Sequence, residues 1–342
     1  MRAAVVTSPG RPPRYGTAAE PRPAPGEVVL DVVAAGLHPV VRALASGAHY
    51  ASDGSWPHVP GIDGVGRRPD GTLVHFSGLA PGRGSMAERV AAPEAALVPL
   101  PEAPPGTPPG ICDPVQIAAL VNPALSAWLA LRLRACLRPG ENVLVLGATG
   151  CAGRMAVRLA HLAGAADIAA AGRDRTALGE LPALGATRTV ALDGGTEDDA
   201  PDDGSRADGD PEDGGTALAE AAARADVVVD YLWGPVTERA LAAVLRRRDR
   251  ARSGRSLRWV QVGDAAGPDI TLPARALRQR DLELLGSGIG SVAPEAVRGA
   301  TRELISTLPE TGLRVAAQAV PLDGIERAWP LRRSGTRVVL VP

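Results

Sequence analysis

Apolar runs of two kinds divide the chain. From residue 141 onward short apolar runs alternate with stretches of helical period. Residues 142–146 (NVLVL), 167–171, 189–192, 227–230 (VVVD), 257–262 and 282–285 read as strands. Residues 155–163, 176–184, 216–224 and 236–247 read as helices between them. Strands alternating with helices call for a doubly wound parallel sheet. Before residue 100 the pattern differs. Residues 1–7, 27–35 (EVVLDVVAA), 72–77 and 87–91 read as strands separated by turn residues, with a short helix at 40–45. That is the pattern of a small β-rich domain. Residues 46–65, rich in Gly, Pro and His, form an irregular loop of the kind that lines sites. Residues 99–114 are an extended proline-rich connector, and 115–137 hold one or two helices. A helix at 294–308 and strands at 315–321 and 336–341 follow the sheet and are able to rejoin the first domain.

The stretch 141–154, ENVLVLGATGCAGR, organises the rest. A strand, a tight glycine turn and a helix place a helix N-terminus where unpaired amides and the helix dipole meet a phosphate. Gly147, Ala148, Thr149, Gly150, Cys151 and Ala152 are the candidate diphosphate cradle. The spacing is G-x-x-G-x-x-G, with Ala148 where the usual dinucleotide fingerprint has its second glycine. The second strand ends in Gly172-Arg173-Asp174-Arg175. An acid at this place binds a ribose 2′-hydroxyl; an arginine suits a 2′-phosphate, hence NADPH. Arg173 and Arg175 are otherwise ordinary solvated charges. Ligands of such sheets lie beyond the strands' carboxyl ends. Tyr231, Val262, Gly263, Ser287 and Gly288 therefore join the cofactor-facing candidates.

Composition narrows the chemistry. The chain has 342 residues, enough for two domains, with 45% hydrophobic but only 3% aromatic residues, so its cores are built from Ala, Val, Leu and Ile. A net charge of −1 offers no general pull toward nucleic acid or anionic membrane. There is no lysine, which excludes Schiff-base and Walker-type lysine chemistry. Three cysteines without C-x-x-C spacing fit reduced thiols in a cytoplasmic protein. No signal peptide and no apolar run of ~18 residues is evident, so no membrane span is expected. Residues 193–215, DGGTEDDAPDDGSRADGDPEDGG, are too acidic and too poor in apolar residues to order themselves, and read as a disordered insertion. They lack the spacing of a calcium loop.

Taken together, EVVLDVVAAGLHPV, SGAHY, VPGIDGVG, NPALSAW, RPGENVLVLGATGCAGRMAVRLA, the LGA at 184–186 and the closing PLDGIERAW resemble the medium-chain dehydrogenase/reductase superfamily. The similarity is to its zinc-independent, quinone-oxidoreductase-like branch and covers nearly the whole chain. It implies a GroES-like catalytic domain from both chain ends (1–120 and 289–342) and a Rossmann cofactor domain (121–288). It further implies NADPH-dependent hydride transfer to a small molecule and a homodimer. Zinc-using relatives carry ligands at positions matching His38, Ile62 and Asn122. Isoleucine cannot ligate and a neutral amide is a poor ligand, so no metal is expected. Nor do three scattered cysteines make a four-cysteine structural site. His38, Asn122 and Tyr50 then remain as polar groups for a substrate carbonyl, where a donor stabilises the enolate that hydride addition creates. Relatives of this branch carry an arginine upstream of that tyrosine; here the segment reads ALASGAHY, without it. Tyr50 is equally open to a packing role and His38 to a core role. Asp63 either orients His38 or satisfies a turn. The implied reaction is reduction of a quinone or an α,β-unsaturated carbonyl. Alternatives are enoyl or ketone reduction on a biosynthetic intermediate, a non-redox enzyme, and a cofactor-binding module.

Overall fold

The computed structural model describes residues 1–102, 105–106, 109–192, 212–248, 256–332 and 335–342. The elements run β1 (Arg2–Val5), β2 (Arg14–Thr17), β3 (Glu27–Gly36), α1 (Pro39–Ser46), β4 (Gly64–Arg67), β5 (Leu73–Phe76), β6 (Arg89–Pro93), β7 (Val98–Pro99) and α2 (Pro114–Trp128). Next come β8 (Asn142–Leu146), α3 (Cys151–Leu162), β9 (Asp167–Gly172), α4 (Arg175–Gly179), β10 (Arg188–Ala191), α5 (Glu212–Arg224), β11 (Val227–Asp230), α6 (Gly234–Arg247), β12 (Leu257–Gln261), α7 (Arg275–Gln279) and β13 (Leu282–Gly286). Last are α8 (Pro294–Thr311), β14 (Ala316–Pro321), α9 (Ile325–Ala328) and β15 (Thr336–Val341).

Two compact units result: Met1–Leu125 with Ala293–Pro342, and Ser126–Val292. The sequence puts the divisions at 120/121 and 288/289. Here they fall at 125/126, within α2, and at 292/293, so Asn122 belongs to the first unit.

In the second unit six parallel strands lie in the order β10-β9-β8-β11-β12-β13. The order turns between β8 and β11, the switch point where ligands of such sheets gather. β8 and β11 are buried almost end to end, as strands covered on both faces are. Their core is built from residues such as Leu144, Leu146, Val228, Leu241 and Trp259. β13 is the exception: an edge strand with Leu284 37% exposed.

In the first unit β1 pairs β2, and a seven-stranded mixed sheet runs β14-β15-β3-β4-β5-β7, with β6 on β3. The C-terminal strand β15 joins antiparallel to β3, so both chain ends build one core around Leu30, Phe76, Met86, Ile325 and Leu340.

Several local expectations change. Residues 64–67 form a strand, although 46–65 read as loop. Its glycines hide the apolar alternation, and they are there for contact. A Cβ on Gly64 meets the Ala34 carbonyl at 2.5 Å, and one on Gly66 meets Leu30 Cβ at 3.0 Å. α3 begins at Cys151, where the glycine turn leads directly into the apolar run read at 155–163. The helix read at 176–184 is α4 followed by a 3-10 turn, Leu181–Leu184, with Pro182 at its start. β2 and α7 are additional to the sequence reading. The helix expected from 216 starts at Glu212, so 212–215 are not part of a disordered insertion; residues 193–211 lie outside the described ones. Finally, Pro114–Arg134 is a helix apolar and long enough to cross a membrane by length and composition, which the sequence reading did not register. Most of it is buried inside the protein, as a core helix is.

Candidate active site

β8 is followed by Gly147, whose φ of +83° is a conformation glycine adopts without strain. The amides of Gly147 and Ala148 both donate to the Ala171 carbonyl of β9, at 3.0 and 2.9 Å. Ala148 is also fully buried. These two residues, which the sequence grouped with the cofactor contacts, therefore spend their polar groups on bracing the turn. Gly150 is the N-cap of α3. The atom nearest to a Cβ built on it is the Gly147 carbonyl oxygen at 3.6 Å, so that face of the turn is open. Helix geometry leaves the amides of Ala152 and Gly153, in the first turn of α3, without intrahelical acceptors, beside that face. Gly153, the third glycine of the motif, has a different task. A Cβ there would stand 2.2 Å from the Gly147 carbonyl oxygen, so only glycine lets α3 lie this close to the turn.

Gly172 closes β9 against the same corner: a Cβ on it would meet Thr149 Cγ2 at 2.7 Å. Arg173 and Arg175 follow, both exposed. Asp174 between them caps α4 by accepting from the Ala177 amide at 2.9 Å. Sequence reasoning missed Arg154 on the first turn of α3. Its Nε donates to the Thr149 carbonyl at 3.2 Å and its Nη2 pairs with Glu180 Oε2 at 2.6 Å.

The end of β11 is built on a second missed residue, Asp230. This fully buried carboxylate accepts from the Leu232 and Trp233 amides through Oδ1, at 2.8 and 2.9 Å, and from Thr237 and the Trp259 indole through Oδ2. It holds Trp233 at φ 57°, ψ −159°, backbone space that is essentially glycine's and costs about 1–3 kcal/mol. Leu232 and Tyr231 thereby stand 3.2 Å from where a Cβ on Gly147 would be. Burial raises the Tyr231 phenol above its ordinary pKa, so it stays protonated, and its hydroxyl is enclosed without a hydrogen-bond partner. The Val262 and Gly263 amides both donate to the Asp230 carbonyl, and the Ser287 amide to that of Gln261. The Gly288 amide donates to Ser291 Oγ at 2.7 Å. At these strand ends, then, it is backbone shape that is offered, not spare amides.

In the first unit His38 ends the segment leading from β3 and caps α1, with Pro39 as the first helical residue. It is fully buried, with Nε2 3.0 Å from Asp63 Oδ1. Gly36 makes its room: a Cβ there would stand 2.3 Å from His38 Nε2. Asp63 thus orients His38, one of the two roles left open by the sequence. Burial lowers the His38 pKa against the upward pull of Asp63. His75 on β5 is equally buried, neither ring nitrogen has a hydrogen-bond partner, and burial pushes its pKa down to about 4. Both are neutral near pH 7. Fully buried, His38 does not present itself as a donor to a substrate, contrary to the role the sequence offered it. Tyr50 is the reverse: 73% exposed, its ring stacked on His49 with centroids 4.2 Å apart. Asn122 is half-buried on α2. Ile62 packs against the core. Among the described residues no three His, Cys, Asp or Glu side chains come together as metal ligands would.

The chain that carries this glycine turn is similar to known proteins over its full length. A probable NADPH-dependent quinone reductase of Emericella nidulans is 30% identical over 379 aligned positions, covering 100% of both chains. The chain belongs to the medium-chain dehydrogenase/reductase superfamily, in its quinone-oxidoreductase-like branch. Human quinone oxidoreductase is 31% identical over 166 residues, 46% of this chain and 47% of its own. Among solved structures of the family, the Thermus thermophilus quinone oxidoreductase, determined also with NADPH, superposes with a TM-score of 0.77 at 28% identity over 100% of both chains. A mycobacterial quinone oxidoreductase at 18% identity, TM-score 0.76, shares the fold. No family model matches the chain.

Proposed function

We propose that the protein is an NADPH-dependent oxidoreductase that reduces a quinone or an α,β-unsaturated carbonyl compound without zinc. The observation that carries this is the corner of Gly147, Gly150, Gly153 and Gly172, where added Cβ atoms would fill or distort the approach to the first turn of α3. A dinucleotide diphosphate fits there, received by the amides opening α3. Arg173 and Arg175 supply the charge for a 2′-phosphate. Bound NADPH supplies the hydride; the chain supplies orientation and stabilisation of developing charge. Tyr50, the exposed hydroxyl of the candidates, donates to the oxygen of the carbonyl and delivers its proton. Asn122 offers an amide donor. His38, held by Asp63, shapes the segment that carries α1 toward Tyr50. Ile62 in place of a ligand, in the family's own terms, leaves the metal position without a donor set.

The chain acts on a small molecule. The edge strand β13, with Leu284, and the exposed Ile289 beyond it suit pairing with a second copy, hence a homodimer. Three free cysteines suit a reducing compartment such as the cytoplasm. A second reading has support of its own. A stretch of 158 residues, 45% of this chain and 7% of the other, is 31% identical to a phenolphthiocerol/phthiocerol polyketide synthase subunit of Mycobacterium tuberculosis, which supports a reduction on a biosynthetic intermediate, enoyl or ketone.

The test is NADPH consumption with a panel of quinones, enones and enoyl thioesters. Turnover with quinones or simple enones is expected, and turnover confined to enoyl thioesters selects the second reading. Tyr50→Phe should lower kcat by about 10²-fold or more with little change in cofactor affinity. Tight NADPH binding with no acceptor reduced, or an unchanged kcat in Tyr50→Phe, would remove the corresponding assignment.

A further inference from the structure

Arg154 does something the glycine motif does not ask of it. A helix first turn at an anion site needs its amides, and the side chain three residues past the first helical position is free to point anywhere. Here it folds back over the turn, giving Nε to the Thr149 carbonyl at 3.2 Å and Nη2 to Glu180 at 2.6 Å. Thr149 in turn presses its side chain on Gly172, the residue before Arg173. Arg154, Thr149, Gly172 and Arg173 therefore make one continuous run from the first turn of α3 to the end of β9. In a doubly wound sheet the diphosphate of a dinucleotide lies at the helix end of that run and the adenosine ribose at its other end, beyond β9.

We propose that Arg154 is a further guanidinium of the 2′-phosphate site, and that Glu180 sets how strongly the protein prefers NADPH to NADH. This rests on the NADPH reading above and deepens it. Arg154 is the fixed partner of the pair, its side chain 18% exposed and anchored on a backbone carbonyl; Glu180 is 60% exposed. A carboxylate that open to water contributes little by its pairing and is readily exchanged. A phosphate brings more charge and more acceptor oxygens to the same planar fork. The other acid of the segment, Asp174, is occupied in capping α4. Glu180 is thus the acid that competes with a 2′-phosphate for Arg154. NADH carries no such phosphate, so the competition leaves it untouched.

The experiment measures NADPH, NADH and adenosine 2′,5′-bisphosphate binding to the full chain and to Glu180→Gln, Arg154→Met and Arg173→Ala, with a thermal melt of each. Glu180→Gln should tighten NADPH and the bisphosphate about threefold, and Arg154→Met should weaken them about tenfold, with NADH moved less than about twofold in either. The expected signs are opposite, whereas a merely structural pair would give the same sign in both. Weaker NADPH binding by Glu180→Gln, or NADPH and NADH shifting alike in both variants, overturns the proposal. A wild-type chain that binds the two cofactors equally overturns the NADPH reading itself. Loss of preference in Arg173→Ala alone, with the other two silent, overturns only the role of Arg154 and Glu180.

Discussion

Asp230 shows how much one side chain decides. Nothing in VVVDYLWG marks its carboxylate as different from a strand-end turn residue, yet in the fold it gathers two amides, a hydroxyl and an indole in a fully buried place. Removing it leaves those donors without an acceptor, at about 1–3 kcal/mol for each buried group. Asp230→Ala should therefore lose at least about 3 kcal/mol of stability, read as a lower urea midpoint. Gly153 is the complementary case, visible in the motif but not in its reason. Gly153→Ala forces the turn to move, because the new Cβ would lie 2.2 Å from the Gly147 carbonyl oxygen. NADPH affinity should fall by about tenfold or more in a fluorescence titration, more than any fall in the melting temperature explains. Glycines were legible as glycines because their type alone signals close approach. Asp230, Arg154 and Glu180 were not, because an acid or arginine in a sequence looks the same whether it braces a turn or meets water.

Among the elements, the strands and helices of the parallel sheet were read nearly in place, since buried parallel strands are continuous apolar runs and their helices keep a 3.6 period. Elements written in glycine or proline were not: β4 and β2 carry no apolar alternation of their own and exist by pairing with β3 and β1. β13 carries the next prediction. It pairs with β12 on one side and leaves its other edge and Leu284 exposed. An apolar edge of this kind is a template for another strand. Leu284→Asp should convert a dimer to monomers in sedimentation velocity, with the melting temperature of the monomer close to that expected for a surface change. A dimer that survives the substitution places the interface elsewhere.

For the whole molecule, the first unit carries an acid sensitivity that follows from burial. His75 has a folded pKa of about 4 against an ordinary 6.5, so the unfolded chain takes up its proton first as pH falls. The stability it protects is fully present above pH 6.5 and is lost between 6.5 and about 4, by about 3 kcal/mol from this group. His38 acts in the same direction. In urea titrations at several pH values, His75→Phe should flatten the decline across this window. An unchanged slope would assign the loss to other groups. The facing charges are Asp63, which favours protonation, and Arg337 and Arg42, which oppose it at His38.

By itself the sequence determined the class of fold, the place of the glycine turn between β8 and α3 and the family, because each depends on local periodicity or on residue types whose backbone freedom is unusual. Tertiary structure alone decided which polar groups are available. His38 and Tyr50 were equal candidates on paper; one is sealed against Asp63 and the other stands in water. Availability is a matter of what packs over a side chain from distant parts of the chain, and no local pattern encodes that.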